Sequence, residues 1–272
     1  MAVAFEDAWQ FWLPAWQRLG APLTAMAKAY PATSTWRSTR TLVYNIAPHD
    51  CSDLLYQRYK EDTENYIKST VLPPLMEMQG ELLLRELVDT WRKHKRIVKF
   101  QAKTFGYLDR YYIVRRSLPS LRIVSLASFQ DMVFNKIKSR VTATVIGMID
   151  DERDGKCIDR DLLKNVLDVF VQIGHSIDYY GSRVIEDFEQ MFFKGTRNYY
   201  SRKAQTWNME YSDHDYMLKV EECLQKEKER VEHYMHSSTV PKLMEVVRSV
   251  LITRHAELKE EMSGGLEEKQ LN

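Results

Sequence analysis

Phe5, Trp9, Trp12, Trp16, Leu19 and Leu23 recur at steps of three and four, the spacing that aligns side chains along one face of a helix. The same period returns through Leu83, Leu87 and Trp91, and through Leu162, Leu163, Val166, Leu167, Phe170 and Val171. Little interrupts it. Only 10 Gly and 8 Pro punctuate 272 residues, and the segments between them are rich in Leu, Glu, Lys, Arg, Met and Gln, which are good helix formers. The chain therefore reads as all-α. Pro14 kinks the first helix, and further helices are expected over 35–46, 52–71, 77–105, 120–138, 141–151, 159–173, 184–193, 198–209, 213–236 and 240–262. Short helix–helix links at this density imply antiparallel bundles stacked along an axis.

The formal net charge is +1, which gives no reason to expect a nucleic-acid or membrane partner. No apolar run reaches membrane-spanning length, and "MAVAFEDAWQFW" lacks the basic region of a signal peptide. Cys51, Cys157 and Cys223 are odd in number and lack metal-ligand spacing, which fits a reducing cytoplasmic or nuclear setting.

"IDDERDGKCIDRDLL" half fits a calcium loop, with Asp150, Glu152 and Asp154 at positions 1, 3 and 5, Gly155 at the turn and Asp161 at position 12. Glu152 is long for its position and Asp161 short for the bidentate one. A helix end explains more residues: Gly155 as the left-handed C′ residue, Asp159 as the next N-cap, and Ile158 with Leu163 as a hydrophobic staple. His233 and His236 stand one turn apart but lack a third ligand in sequence, and a helix C-terminus suits them better than a metal site. In "WRKHKRIVK" the cations read as a solvated helix face, with Trp91, Ile97 and Val98 inward; a patch for acidic partners is the alternative. There is no phosphate loop, nucleophile elbow or zinc-protease motif, so no catalytic residue, metal or cofactor is expected.

Five ordered stretches carry a resemblance: "LPPLMEMQGELLLRELVDTWRKHK", "YLDRYYIVRRSLPSL", "DDERDGKCIDRDLLKNVLDVFV", "YYSRKAQTW" and "YMLKVEECLQKEKERVEHYMHSS". Together they resemble the amino-terminal half of cullins, in particular the plant cullins of F-box (SCF-type) ubiquitin ligases. The resemblance implies a non-catalytic scaffold built of five-helix cullin repeats in a stalk. It places a first, adaptor-binding repeat at 1–150, a second at 151–262 and a disordered tail at 263–272. The implied partners are a Skp-type adaptor and its F-box protein. The RING-binding and neddylated half of a cullin lies beyond the resemblance, so the chain is expected to be a fragment or a truncated cullin-like protein, the latter acting as a decoy that occupies adaptors.

By the same resemblance the adaptor face comes from two helices. The first matches "TWRSTRTLVYN": Trp36 and Tyr44 keep the outer aromatic positions, Arg40 replaces the middle one, and Arg37 and Thr39 stand where the family has apolar residues. The second matches "LRIVSLASFQDMVF", where Arg122 and Ser125 are the expected contacts and Leu126, Phe129 and Val133 the expected core. The alternative reading is a helical remnant whose adaptor face has drifted, binding another protein or none.

Overall fold

The computed structural model describes residues 52–176, 181–235 and 237–270. The helices expected over 5–23 and 35–46, and with them Trp36, Arg37, Arg40 and Tyr44, lie outside the described residues, as does His236. All secondary structure among the described residues is helical. The helices are α1 (Ser52–Tyr66), α2 (Leu72–Glu77), α3 (Gly80–Thr104), α4 (Val114–Arg116), α5 (Leu121–Phe129), α6 (Asn135–Arg153), α7 (Arg160–Ser176), α8 (Gly181–Glu210), α9 (Asp213–Tyr234) and α10 (Thr239–Gln270). π-helical segments occupy Ile67–Val71, Leu108–Ile113 and Gln130–Phe134. The chain divides into two compact units: Met1–Val141 with His175–Gly181, and Thr142–Gly174 with Ser182–Asn272.

Several helix boundaries differ from those expected. Pro73 and Pro74 do not end a helix. They sit in the first turn of α2, where a missing N–H is tolerated, after a π-helical turn in which Leu72 N–H reaches the Ile67 carbonyl. α2 ends instead at Glu77, where the Arg140 guanidinium donates to the carbonyls of Leu75 (3.4 Å), Met76 (3.2 Å) and Met78. α8 runs unbroken through the expected gap at Lys194–Arg197. Gly195 lies inside it because a Cβ there would stand 3.0 Å from Ile146 Cγ2, so the glycine serves close packing rather than a turn. α10 continues to Gln270, past Gly264 and Gly265, where the sequence suggests a tail.

In the first unit α1 contributes Leu55, Tyr56 and Tyr59 to a core completed by Phe105, Leu108, Ile113, Leu121 and Val124. From α3, Leu83, Leu84, Leu87, Trp91 and Val98 are buried, as the period requires, and Ile97 is half-buried. His94 is buried with them, its ring 4.8 Å from Phe129 and 6.2 Å from Trp91. Its Nε2 lies 3.1 Å from the Ser125 carbonyl, while Nδ1 has no hydrogen-bond partner. With Nε2–H donating, the ring is neutral and Nδ1 is the bare acceptor nitrogen. Burial pushes its pKa down to about 4, although the Ser125 carbonyl favours the charged form.

The second unit is organised around the end of α6. The Schellman turn there is complete: Lys156 N–H bonds the Asp151 carbonyl at 2.9 Å and Gly155 N–H that of Glu152 at 3.0 Å, with Gly155 at φ +88°. Asp159 caps α7 through Leu162 N–H at 2.8 Å. The α7 face of Leu162, Leu163, Val166, Leu167 and Phe170 is buried, and Val171 is half-buried. The acids of the calcium-like loop serve side chains and backbone. Asp150 pairs with Arg153, Asp151 with Lys156, Glu152 with Arg160, and Asp154 with Lys203 and Tyr199.

Arg153 itself turns inward, with its side chain 1% exposed. Its Nε and one terminal nitrogen donate to the two oxygens of Glu227, each at 3.0 Å. The remaining donors reach Asp150 at 2.8 Å and Thr196 at 3.0 Å. Tyr200 donates to Glu227 at 2.7 Å, and Arg230 pairs with the same carboxylate. The Tyr199 and Tyr200 rings each lie 5.2 Å from the guanidinium carbon. Burial alone would raise the Glu227 pKa, but the Arg153 charge and hydrogen bonds outweigh it and hold the carboxyl below the ordinary range. α6, α8 and α9 are thereby tied at one point.

Two predictions follow from these buried groups. A neutral buried His must charge on unfolding, so its contribution is present above pH 6.5 and is lost as pH falls toward 4. Urea unfolding at pH 7 and pH 4.5 should show an extra loss of about 2 kcal/mol that His94→Leu lacks. Glu227→Gln or Arg153→Met strands a buried charge, and equilibrium unfolding should show about 3–5 kcal/mol of destabilisation. Arg153→Lys should recover little of it, because an ammonium cannot make the bidentate fork.

Candidate functional site

The site residues that can be placed lie on α5. Ser117 enters the left-handed region at φ 51°, ending α4, and Pro119 precedes the new helix. Ser120 then caps α5, its Oγ accepting from Ile123 N–H at 3.3 Å. Asp109 accepts the Leu121 N–H at 3.1 Å, and burial of this half-buried carboxyl raises its pKa despite that bond. α1 fixes the helix from behind. Tyr56 donates to the Pro119 carbonyl at 3.1 Å, and the Tyr59 hydroxyl stands 2.8 Å from Gln101 Oε1, 3.2 Å from the Leu121 carbonyl and 2.6 Å from Ser125 Oγ. Burial pushes the Tyr59 phenol well above its ordinary range, so it remains a hydroxyl donor.

This arrangement sorts the expected contact residues. Arg122 is exposed, next to Ile123, which is 38% exposed. Ser125 is 0% exposed and belongs to the interior network with Tyr59 and Gln101, so the expectation that it meets a partner is corrected. A serine in a helix reads as surface from its polarity alone; here a buried phenol and amide satisfy its hydroxyl. Leu126, Phe129 and Val133 are core, as expected. Sequence reasoning missed Tyr59, His94 and Gln101, the residues that hold α5 in place. Tyr56 and Tyr59 share a helix face with Leu55, and that was the only signal available for them.

A second candidate is a cavity of about 270 Å³ in the second unit, with Arg153, Asp154, Tyr199, Lys203, Glu222 and Cys223 among its lining. Its charges are largely matched. Lys203 meets Asp154 at 2.9 Å, and Lys219 meets Glu222 at 2.8 Å, with Lys226 on the same carboxylate. Burial raises the Cys223 thiol above its ordinary range, which disfavours the nucleophilic thiolate. Among the described residues no group of three or more His, Cys, Asp or Glu is placed to hold a metal ion, and His233 is exposed. No helix among them is long and apolar enough to cross a membrane.

Residues 16–271 match the family model described as the cullin alpha solenoid domain. The chain is 47% identical over 269 residues to Cullin-1 of Oryza sativa subsp. japonica, covering 96% of this chain and 36% of that protein. It is 45% identical to Putative cullin-like protein 1 of Arabidopsis thaliana, covering 78% of this chain and 30% of the relative. Cullin-like protein 3 of Arabidopsis thaliana is 42% identical over 212 residues, which make up 78% of this chain and 82% of that protein. The chain thus spans about a third of the first two relatives. The match runs through both compact units and includes α5 and the buried turn at Arg153: the chain belongs to the cullin family.

Proposed function

We propose that this chain is a scaffold segment of a cullin-based ubiquitin ligase, non-catalytic, working in the cytoplasm and nucleus. Its first repeat, 1–150, binds a Skp-type adaptor carrying an F-box protein, and 151–262 forms the second repeat. The adaptor face comprises Trp36, Arg37, Arg40, Tyr44 and Arg122, without Ser125. The observation that carries this reading is the pose of α5. Its inner residues are hydrogen-bonded and packed from behind, while Arg122 and Ile123 are presented outward on a helix that matches the family's second adaptor helix.

The binding energy is assigned to aromatic anchors and the selectivity to the cations. Trp36, Arg40 and Tyr44 are spaced i, i+4 and i+8 in the sequence, the spacing that would align them on one face of a helix. An aromatic anchor at an interface centre contributes about 2 kcal/mol or more. Arg40 and Arg122 add charge that suits an acidic adaptor and makes binding sensitive to salt.

The test is titration of the chain against a purified Skp-type adaptor with its F-box protein, read by calorimetry. Trp36→Ala should weaken binding at least ~30-fold. Arg122→Glu should weaken it about 3–10-fold at low salt and less at high salt. As a competitor, the chain should draw the adaptor away from a complete ligase and slow ubiquitin transfer. No complex at tens of micromolar sinks the adaptor reading. If Arg40→Tyr with apolar residues at 37 and 39 then creates binding, the drifted-face reading is the correct one.

A further inference from the structure

From Thr90 to Leu108 the chain holds no Asp or Glu, yet it carries Arg92, Lys93, Lys95, Arg96, Lys99 and Lys103, all exposed. This stands apart from a sequence whose overall charge is +1. Elsewhere cations alternate with acids at helical spacing, as in Arg58–Glu61, Lys219–Glu222, Lys226–Glu222 and Arg254–Glu257. On α3 that alternation stops after Arg92, which pairs with Asp89 at 3.6 Å. Lys95 lies over the Trp91 ring at 5.8 Å. Arg96, Lys99 and Lys103 have no ion-pair partner among the described residues.

On an α-helix Arg92, Lys95, Arg96, Lys99 and Lys103 fall within about 100° of arc and extend about 16 Å along the axis. The buried residues Leu87, Trp91, His94 and Val98 lie on other parts of the circumference. The stripe places like charges at i,i+3 and i,i+4 in Arg92–Arg96, Arg96–Lys99, Lys95–Lys99 and Lys99–Lys103, and each such pair destabilises a helix slightly. A face whose only task is solvation is better served by mixed charges. A single-sign stripe therefore calls for an external partner.

We propose that this stripe on α3 docks an acidic helix of a partner protein. The partner carries carboxylates at i, i+4, i+7 and i+11, the spacing of Arg92, Arg96, Lys99 and Lys103. The observations favour this over nucleic acid or a membrane. Trp91, beside the start of the stripe, is 2% exposed and offers no ring to a base. Among the described residues, the exposed ones along the arc are cationic, with no apolar side chain to enter a bilayer. The proposal is independent of the adaptor reading, because Arg122 stands on α5 and the stripe on α3.

The experiment is fluorescence anisotropy of the full chain with a labelled 21-residue helical peptide bearing Glu along one stripe. Comparison ligands are a peptide of equal composition with Glu scattered around the helix, a 20-base-pair DNA duplex and phosphatidylserine vesicles. The striped peptide should bind tightest, about 10-fold weaker at 300 mM than at 50 mM salt. Arg96→Glu with Lys99→Glu and Lys103→Glu should weaken it at least ~10-fold, with helicity by circular dichroism unchanged. Should that variant fail to fold, the Gln versions of the same positions should still lose binding, and should raise Tm by about 2–4 °C because the repulsion is gone. Equal binding of the scattered peptide, tighter binding of duplex or vesicles, no peptide binding at 50 mM salt, or variants that bind like the wild type overturn the proposal.

Discussion

Inside the second unit, Arg153 and Glu227 are the charges the packing cannot do without. Neither is stable there alone, since an isolated ion in a low-dielectric interior meets a desolvation penalty of several kcal/mol. Together they form a bidentate pair whose spare donors are taken by Asp150 and Thr196 and whose spare acceptor capacity is taken by Tyr200 and Arg230. The pair requires the end of α6, the middle of α8 and the later turns of α9 to meet in one register. Apolar contacts such as Val145, Phe192 and Val231 could slide against one another at small cost; a fork of hydrogen bonds cannot. The Schellman turn at Gly155 then sends the chain into α7 from a fixed starting point.

The first unit solves a similar problem with neutral groups. Tyr59, Gln101 and Ser125 close a hydrogen-bonded network, and His94 reaches the α5 backbone while stacked among Trp91 and Phe129. These contacts go to the carbonyls of Pro119, Leu121 and Ser125, so they fix the position of α5 independently of most of its side chains.

The helical period made the α7 face, the inward Trp91 and the outward cations of α3 legible, because burial on one face is a local property of spacing. The Asp159 cap and Gly155 were legible for the same reason: each acts within a few residues of itself. What could not be read depends on distant partners. Ser125 and His94 look like surface residues until Tyr59 and Phe129 are brought to them. Gly195 looks like a break until Ile146 presses on it, and Arg153 looks like a solvated charge until Glu227, far along the chain, arrives. Pro73 and Pro74 misled because they fall in the first turn of α2, where a missing N–H is tolerated. Of the candidate site, α5 was legible as an element, but the choice between its inner and outer polar residues was not.

A helix held through its backbone carbonyls is free to change what it displays. Replacing Arg122 or Ile123 alters charge and shape at the surface without touching the bonds from Tyr56, Tyr59 or His94. The polar interior sets where the helix stands, and the exposed residues decide what it meets.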